Sequence, residues 1–469
     1  MASAITAPAL TSAAAPAAGR ALRHRRRLRR ADLLTVVAWA SAALAVAMYL
    51  THGVALAGIG DLLTAGGIVA GLVGSDLVLV MLVLAARVPL IDRTIGHDRA
   101  MAVHRQLGKP AFYLLLAHGV LLTLGYAWAD RANIVAETAS LIGAQDMPIA
   151  YLSLGLFVAV IVTSLVAVRR KLRYEVWHLI HLLSYAAVLT ALPHQFSQGT
   201  VFAADTPQRV YWIALYVLAL GAIVTFRFVE PAVQSMRHRI VVDRVERIAP
   251  DAISIHLRGR DLDRLGAQGG QFFTWRFWTG RTWWHAHPLS LSSVPTSRTA
   301  RITVRELGDG TRALQASLRH GTPVTFEGPY GIFTDAARGR ERVAVFAAGI
   351  GVTPARALLE RLDAGRGMVS VIVRASDPRS LFLWDEILRL CQDRGWNAWV
   401  SIGRRGSGSS SWLSAADAHR GVSMRSAFPH LDDSEVYICG PDSWADAVEH
   451  EAHHRGVASA HIHRERFEL

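Results

Sequence analysis

Six times between residues 32 and 229 the chain runs for about 20 residues with almost no charge: 32–51, 64–86, 109–129, 149–168, 175–194 and 210–229. A hydrocarbon core about 30 Å thick is crossed by about 20 helical residues, and in lipid a helix satisfies its backbone groups internally. The pattern therefore predicts six membrane spans. From about residue 231 onward short apolar runs alternate with turns and amphipathic stretches, as in a soluble α/β protein. A chain of 469 residues with 51% hydrophobic residues and mean hydropathy +0.26 suits that division into a membrane bundle and a soluble half.

Charge sets the expected orientation. Arg20, Arg23, Arg25, Arg26, Arg27, Arg29 and Arg30 precede the first span; Arg87, Arg93, Arg99, Arg105 and Lys109 fill the second loop; Arg169, Arg170, Lys171 and Arg173 fill the fourth. The opposite loops carry only Arg131 and Arg209. The positive-inside bias places the basic loops and both termini in the cytoplasm, and a compact multi-pass chain of this kind is expected in the plasma (cell inner) membrane. The net charge of +13 thus reads as topology and contact with anionic lipid, and no nucleic acid is expected as a partner. Residues 1–30 are expected to be a basic disordered tail, residues 1–19 being rich in Ala, Pro, Ser and Thr and lacking the charged start of a signal peptide. The two cysteines, Cys391 and Cys439, exclude a four-thiolate iron-sulfur cluster within the chain.

Histidines give the bundle its chemistry. His104 and His118 are 14 residues apart at the third span, and His181 and His194 are 13 apart at the fifth. Either spacing separates the two rings by roughly 20 Å along a helix. Spans three and five run in the same direction, so His104 and His181 fall level near the cytoplasmic side and His118 and His194 level near the outer side. Each level offers two imidazoles, the set that fills both axial positions of haem iron and favours electron transfer. One defect is visible: 14 residues return to within about 40° of the starting face, whereas 13 leave about 140°. Pro193, Gly108 and Pro110 lie where they can redirect the ligands. His178 is an alternative ligand one turn before His181, Asp76 in mid-span needs a partner or a proton, and His97 reads as a solvated loop residue.

The run His104, Arg105, Gln106, Leu107, Gly108 through His118 and Gly119, with Trp177, His178, His181, Tyr185 and His194, resembles the ferric reductase transmembrane domain, the family of the NADPH oxidases and metalloreductases. That resemblance implies two haem b groups on spans three and five, ligated by these four histidines.

Between 240 and 334 short apolar strands at Ile240–Val245, Ile253–Leu257, Phe272–Phe277, Arg301–Arg305 and Val324–Glu327 predict a small antiparallel β-barrel. His287, Pro288, Leu289, Ser290 and Ser292 lie on an extended edge whose backbone groups and hydroxyls can read a flavin ring. Arg305 and a helix start at Thr311, behind Gly308 and Gly310, suit a pyrophosphate. In this order the motifs resemble the flavin domain of the ferredoxin-NADP reductase family, which implies FAD.

Residues 340–469 alternate strands and helices as an open, mostly parallel sheet does: a doubly wound α/β nucleotide-binding domain. Gly349 and Gly351, followed by Thr353 and Pro354, form a first turn that lets backbone approach a dinucleotide, and Cys439, Gly440 and Pro441 form a matching later turn. The same resemblance implies that Cys439 lies beside the nicotinamide carbon that gives up hydride, that Ser290 serves the flavin, and that Phe467 covers the flavin ring. Arg404 and Arg405, and more weakly Arg374, are candidates for a 2′-phosphate and favour NADPH over NADH. His450, His453, His454, His461 and His463 include spacings of three and two, but no cysteine or carboxylate cluster completes a metal site with them, and they read as surface or strand residues.

The expected organisation is a tail (1–30), a six-helix transmembrane bundle (31–230), an FAD barrel (231–336) and an NAD(P) domain (337–469). The expected function is an NAD(P)H-dependent flavohaem oxidoreductase that passes electrons through FAD and the haems to a small-molecule acceptor outside, a ferric chelate being favoured over dioxygen. A partner protein supplied with electrons, or a homo-oligomer, is compatible with the same residues, and so is a haem-free anchor for a flavin reductase.

Overall fold

The computed structural model describes residues 14–51, 54, 56–172, 174–199, 202, 206–280, 283–408 and 411–466. It divides into two compact units, one of Asp32–Val88 and Arg99–Phe226, the other of Met1–Ala31, Pro89–Asp98 and Arg227–Leu469.

The helices of the first half are α1 (Ala14–Leu50), α2 (Ile59–Ala85), α3 (Pro89–Ile95), α4 (His97–Ala129), α5 (Ile134–Gly143), α6 (Met147–Ser164), α7 (Val166–Arg169), α8 (Tyr174–Ser197), α9 (Pro207–Val224) and α10 (Glu230–His238). Six helices are long and apolar enough to cross a membrane. Large apolar side chains such as Leu33, Val36, Trp39, Leu179, Val217 and Leu218 are exposed, as lipid-facing positions are. The inner seam is small instead. Gly60, Gly67, Gly71 and Gly74 recur on one face of α2, and a Cβ at Gly67 would come within 3.0 Å of Leu122 on α4. Small residues let two helices approach closely where no hydrophobic effect drives them together. On the other side of α2, Asp76 accepts a 2.5 Å hydrogen bond from Ser41, whose hydroxyl also lies 2.8 Å from that of Tyr211. This mid-span carboxyl is buried within the bundle and hydrogen-bonded to Ser41 of α1, which in turn meets Tyr211 of α9.

One expectation about the tail is corrected. Residues from Ala14 on are helical rather than disordered, because the alanine-rich stretch has high helix propensity and Pro16 sits in the first turn, where its missing N–H costs nothing.

The other unit carries two sheets. The first joins β1 (Val241–Ala249), β2 (Ala252–Arg258), β3 (Phe272–Phe277), β4 (His287–Ser293), β5 (Thr299–Arg305) and β6 (Val324–Tyr330) in the order β1-β2-β5-β4-β3-β6, with α11 (Asp309–Ser317) between β5 and β6. Its inner face buries Ile253, Ile255, Phe273, Trp275, Ile302 and Phe326. The expected closed barrel is not formed as a continuous ladder. Edge strands β1 and β6 meet through an isolated bridge at Val241 and Pro323, and Pro323 has no N–H with which to extend it.

The second sheet is parallel, with β7 (Arg342–Ala348), β8 (Val369–Ala375), β9 (Asn397–Ile402), β10 (Ser434–Cys439) and β11 (Ile462–Glu465) in the order β11-β10-β7-β8-β9. Its helices are α12 (Val352–Arg361), α13 (Trp384–Arg394), α14 (Ala415–His419), α15 (Met424–Ala427) and α16 (Asp442–His454). Strand β7 is buried on both sides: Val343, Val345 and Ala347 pack in one core with residues of α12 and α13, while Ala344, Phe346 and Ala348 pack in another with residues of α16. A central parallel strand covered on both faces reads as a continuous apolar run for this reason. The order reverses between β7 and β10, and in open α/β sheets the crevice at such a switch point is where ligands bind.

Candidate functional site

Within the bundle, His104 and His181 face each other with ring centres 6.3 Å apart and planes at 60°. That gap is too wide for a hydrogen bond and wide enough for a metal with a nitrogen about 2 Å away on either side. His104 donates from Nδ1 to the Met81 carbonyl at 3.1 Å, and His118 from Nδ1 to the Gly67 carbonyl at 2.9 Å. In both rings the lone pair is thereby fixed on Nε2, the arrangement found behind metal-bound imidazoles. His118 and His194 line one cavity of ≈ 270 Å³. A Cβ at Gly71 would lie 2.4 Å from His118 Nδ1, so only glycine there leaves the ring its place. The Nδ1 atoms of His181 and His194 are buried without a hydrogen-bond partner among the described residues.

The 13-residue offset does not keep His181 and His194 from separate partners on α4. Pro193 stands inside α8 immediately before His194, and a proline there removes a backbone hydrogen bond and distorts the helix. The alternative ligand His178 is exposed and lies against Trp177, ring centres 6.4 Å apart. His97 is not a solvated loop residue. It opens α4, its ring stacks on Tyr330 at 5.5 Å, and its Nδ1 is 3.6 Å from Asp92. The residues present fit two bis-imidazole haems: two histidines at each of two levels, one of each two with its tautomer fixed by a backbone carbonyl, and an apolar cavity at one level.

In the soluble unit the buried polar atoms without a partner among the described residues include His287 Nε2, Ser290 Oγ and Thr353 Oγ1. Unpaired buried polar groups are costly and point to a missing ligand. Burial, and then the neighbouring His285, holds the His287 imidazole at about 4, so it is neutral at pH 7. Ser290 pairs across the sheet with Phe272, while the carbonyl of Leu289 accepts the Trp275 indole at 3.1 Å and Pro288 is exposed. Ser292 is engaged elsewhere, accepting from Arg301 at 3.0 Å. Thr311 closes the turn before α11, accepting from the Leu307 and Gly308 amides at 3.0 and 3.2 Å. Arg305 pairs with Asp251 at 2.7 Å, lies over Phe382, and comes within 3.9 Å of where a Gly349 Cβ would be.

The two glycine turns meet at the switch point. A Cβ at Gly351 would lie 2.2 Å from the Cys439 carbonyl, and one at Gly440 would lie 2.8 Å from Ala348 Cβ. Pro354 is buried in the first turn of α12, and Pro441 caps α16. Cys439 is fully buried, and burial followed by the Glu465 carboxyl pushes its thiol well above the ordinary range. Arg374 is buried and donates to the carbonyls of Ala375, Ser401 and Gly403. Arg405 donates to Ser411 and Ser443 near 3.0 Å, while Arg404 is exposed. Phe467 lies outside the described residues.

Two carboxylates escaped sequence reasoning. Glu465 stands opposite Cys439 in the β10–β11 register, and burial raises its pKa well above the usual carboxylate range. Glu435 is fully buried between His461 and His463. The nearest sequence signal is the alternation in His461-Ile462-His463-Arg464-Glu465, but a partner 26 residues away is found only through the parallel pairing of β10 and β11.

Residues 70–192 match the family model described as ferric reductase like transmembrane component. The membrane half is ferric reductase-like. A curated relative, the ferredoxin reductase component of 3-ketosteroid-9-alpha-monooxygenase from Rhodococcus rhodochrous, is 26% identical over 210 residues, 44% of this chain. The chain spans 57% of that relative's length. Among solved structures, the chain is similar to the flavohem-like FAD/NAD binding domain of nitric oxide dioxygenase from Vibrio cholerae O1 biovar El Tor, at 22% identity and TM-score 0.40 over 49% of this chain and 99% of that one. It is also similar to the flavohemoglobin of Malassezia yamatoensis, at 17% identity and TM-score 0.43 over 87% of this chain and 98% of that one. One chain thus carries a segment similar to the ferric reductase transmembrane component together with a stretch similar to a ferredoxin reductase component.

Proposed function

We propose that this membrane oxidoreductase carries electrons from cytoplasmic NAD(P)H to a one-electron acceptor on the far side of the bilayer, a ferric chelate in the first instance. The observation that carries the reading is the pair of facing imidazoles, His104 with His181, and the second pair, His118 and His194, on one cavity of the same bundle. When bound, nicotinamide would supply hydride, FAD would convert it to single electrons, and two haems would relay them.

The chain's own residues supply the setting. The close-packed turns at Gly349–Gly351 and Cys439–Pro441 let backbone approach the dinucleotide, with Thr353 Oγ1 available to it. Cys439 remains a neutral thiol and would not compete as a nucleophile with a nicotinamide bound at this turn. Ser290 and His287 offer a hydroxyl and a neutral imidazole to the flavin, and Arg305 offers charge to its pyrophosphate. Glu465, protonated by burial, can hold a proton next to Cys439. Arg404, exposed after β9, is the cation best placed to read a 2′-phosphate. His104, His118, His181 and His194 would hold the two haem irons, and the Met81 and Gly67 carbonyls orient the first two rings.

An anaerobic reduced-minus-oxidised absorption spectrum of the purified protein with FAD and NADPH tests the reading. Two low-spin haems per chain, reduced by NADPH, are expected. Reduced flavin without a haem signal would leave a membrane-tethered reductase. The name of the curated relative, a component of a monooxygenase, supports a second reading in which a partner protein takes the electrons; turnover with ferric chelate by the isolated chain would exclude it.

A further inference from the structure

The early part of α1 belongs to the soluble unit, and there the His24 ring stacks on His461 with centres 5.0 Å apart and planes 12° from parallel. Glu435, at the start of β10, is fully buried beside them. Its Oε2 accepts the amides of Gly339 and Arg340, each at 3.0 Å, and lies 3.1 Å from His461 Nδ1. Its Oε1 is 2.5 Å from His463 Nε2. One ligand atom from each of His24, Glu435 and His461 falls within 4.8 Å of the others.

We propose that His24, Glu435 and His461 bind a divalent first-row transition cation, zinc foremost, that clasps the N-terminal tail to the nucleotide-binding sheet. Two imidazoles and one carboxylate are the borderline donors such ions prefer, and three protein ligands leave a fourth position for water. The outer contacts are already those of a metal site. His24 donates Nδ1–H to the Ala337 carbonyl at 3.3 Å, which leaves its other nitrogen as a lone-pair donor. His463 holds Oε1 of the carboxylate and two backbone amides hold Oε2, which fixes its orientation. Loss of the His461 proton to solvent frees both that nitrogen and the facing lone pair of Glu435 for the ion. Arg27, which interacts electrostatically with Glu435, is the charge that competes with the cation. The tail is also held by Arg20, 3.1 Å from Glu341, so the ion would tighten a contact that the fold already makes.

The test uses the full-length protein in detergent, stripped with EDTA and titrated with zinc chloride by calorimetry. A tight zinc site is expected, weakened about tenfold or more by His24→Ala and by His461→Ala. In the wild type, zinc should also slow tryptic cleavage at the exposed Arg23, Arg25 and Arg26, and it should not do so in H24A. His24 lies outside both sheets, and an unchanged elution profile of H24A shows that the fold is retained. The competing site is the exposed pair His450 and His454, whose Nε2 atoms are 3.0 Å apart. A His450→Ala, His454→Ala double variant should keep the tight site. Absence of zinc uptake, wild-type affinity in H24A, or loss of zinc in the double variant would overturn the proposal.

Discussion

Both cysteines are thiols that burial keeps protonated: Cys391 is pushed up to about 11 and Cys439 well above its ordinary value. Thiolate is the reactive form, so the folded protein at pH 8 should be silent to a chromogenic disulfide reagent, and both thiols should titrate after denaturation. His287 makes a second prediction with a definite sign. Unfolded, its imidazole takes a proton below 6.5; folded, it stays neutral down to about 4. In that window the unfolded state holds the extra proton, so this residue's contribution makes stability fall as pH drops from 6.5 toward 4 and leaves it flat above. His287→Gln should flatten the acid limb of Tm against pH; an identical limb in the variant would remove His287 as its source.

Helix α2 works through what it lacks. At Gly71 a side chain would meet the His118 ring at 2.4 Å, so Gly71→Leu should displace that imidazole while leaving His104 and His181 in place. Haem content measured by pyridine haemochromogen should fall from two per chain to one. Another link joins elements of the soluble unit: Arg301 on β5 and Arg356 on α12 both reach Glu386 on α13 at 2.8 Å. Glu386→Gln removes the carboxylate charge that both cations share, Arg356 keeping Glu360 and Arg301 keeping Ser292, and should cost about 2 kcal/mol, a value reduced from that of a fully buried pair because the carboxylate is 25% exposed. The check is a lower denaturant midpoint with an unchanged m-value. Element boundaries came out of the sequence where burial imposes a period: Phe272–Phe277 was legible to the residue, since alternating aromatic and polar side chains have only one reading. Strand β1 was read four residues short, because Glu246 and Arg247 on its exposed end break the apolar signal.

For the molecule as a whole, the proposed preference for NADPH rests on Arg404, one of two exposed arginines that follow β9. Arg404→Ala should lower kcat/KM for NADPH about tenfold or more and leave that for NADH near its original value, since a lost charge-assisted bond to phosphate is worth about 1.5–3 kcal/mol. Equal losses with both coenzymes would assign Arg404 to a shared feature of the two. Arg405, read from sequence together with Arg404, and Arg374, read as a weaker candidate, differ from Arg404 in structure because their guanidinium groups already serve Ser443 and three backbone carbonyls.

The sequence by itself determined the membrane character, the histidine spacing and the positions of the glycine turns. Each is a local consequence of hydropathy, helical rise or backbone freedom, and needs no knowledge of what packs against what. Only the tertiary structure decided that Gly71 makes room for His118, that the first sheet is bridged at Pro323 instead of closing, and that Glu435 gathers His24, His461 and His463. These depend on contacts between residues tens to hundreds of positions apart, which strand register and helix packing create and which no local pattern of residues encodes.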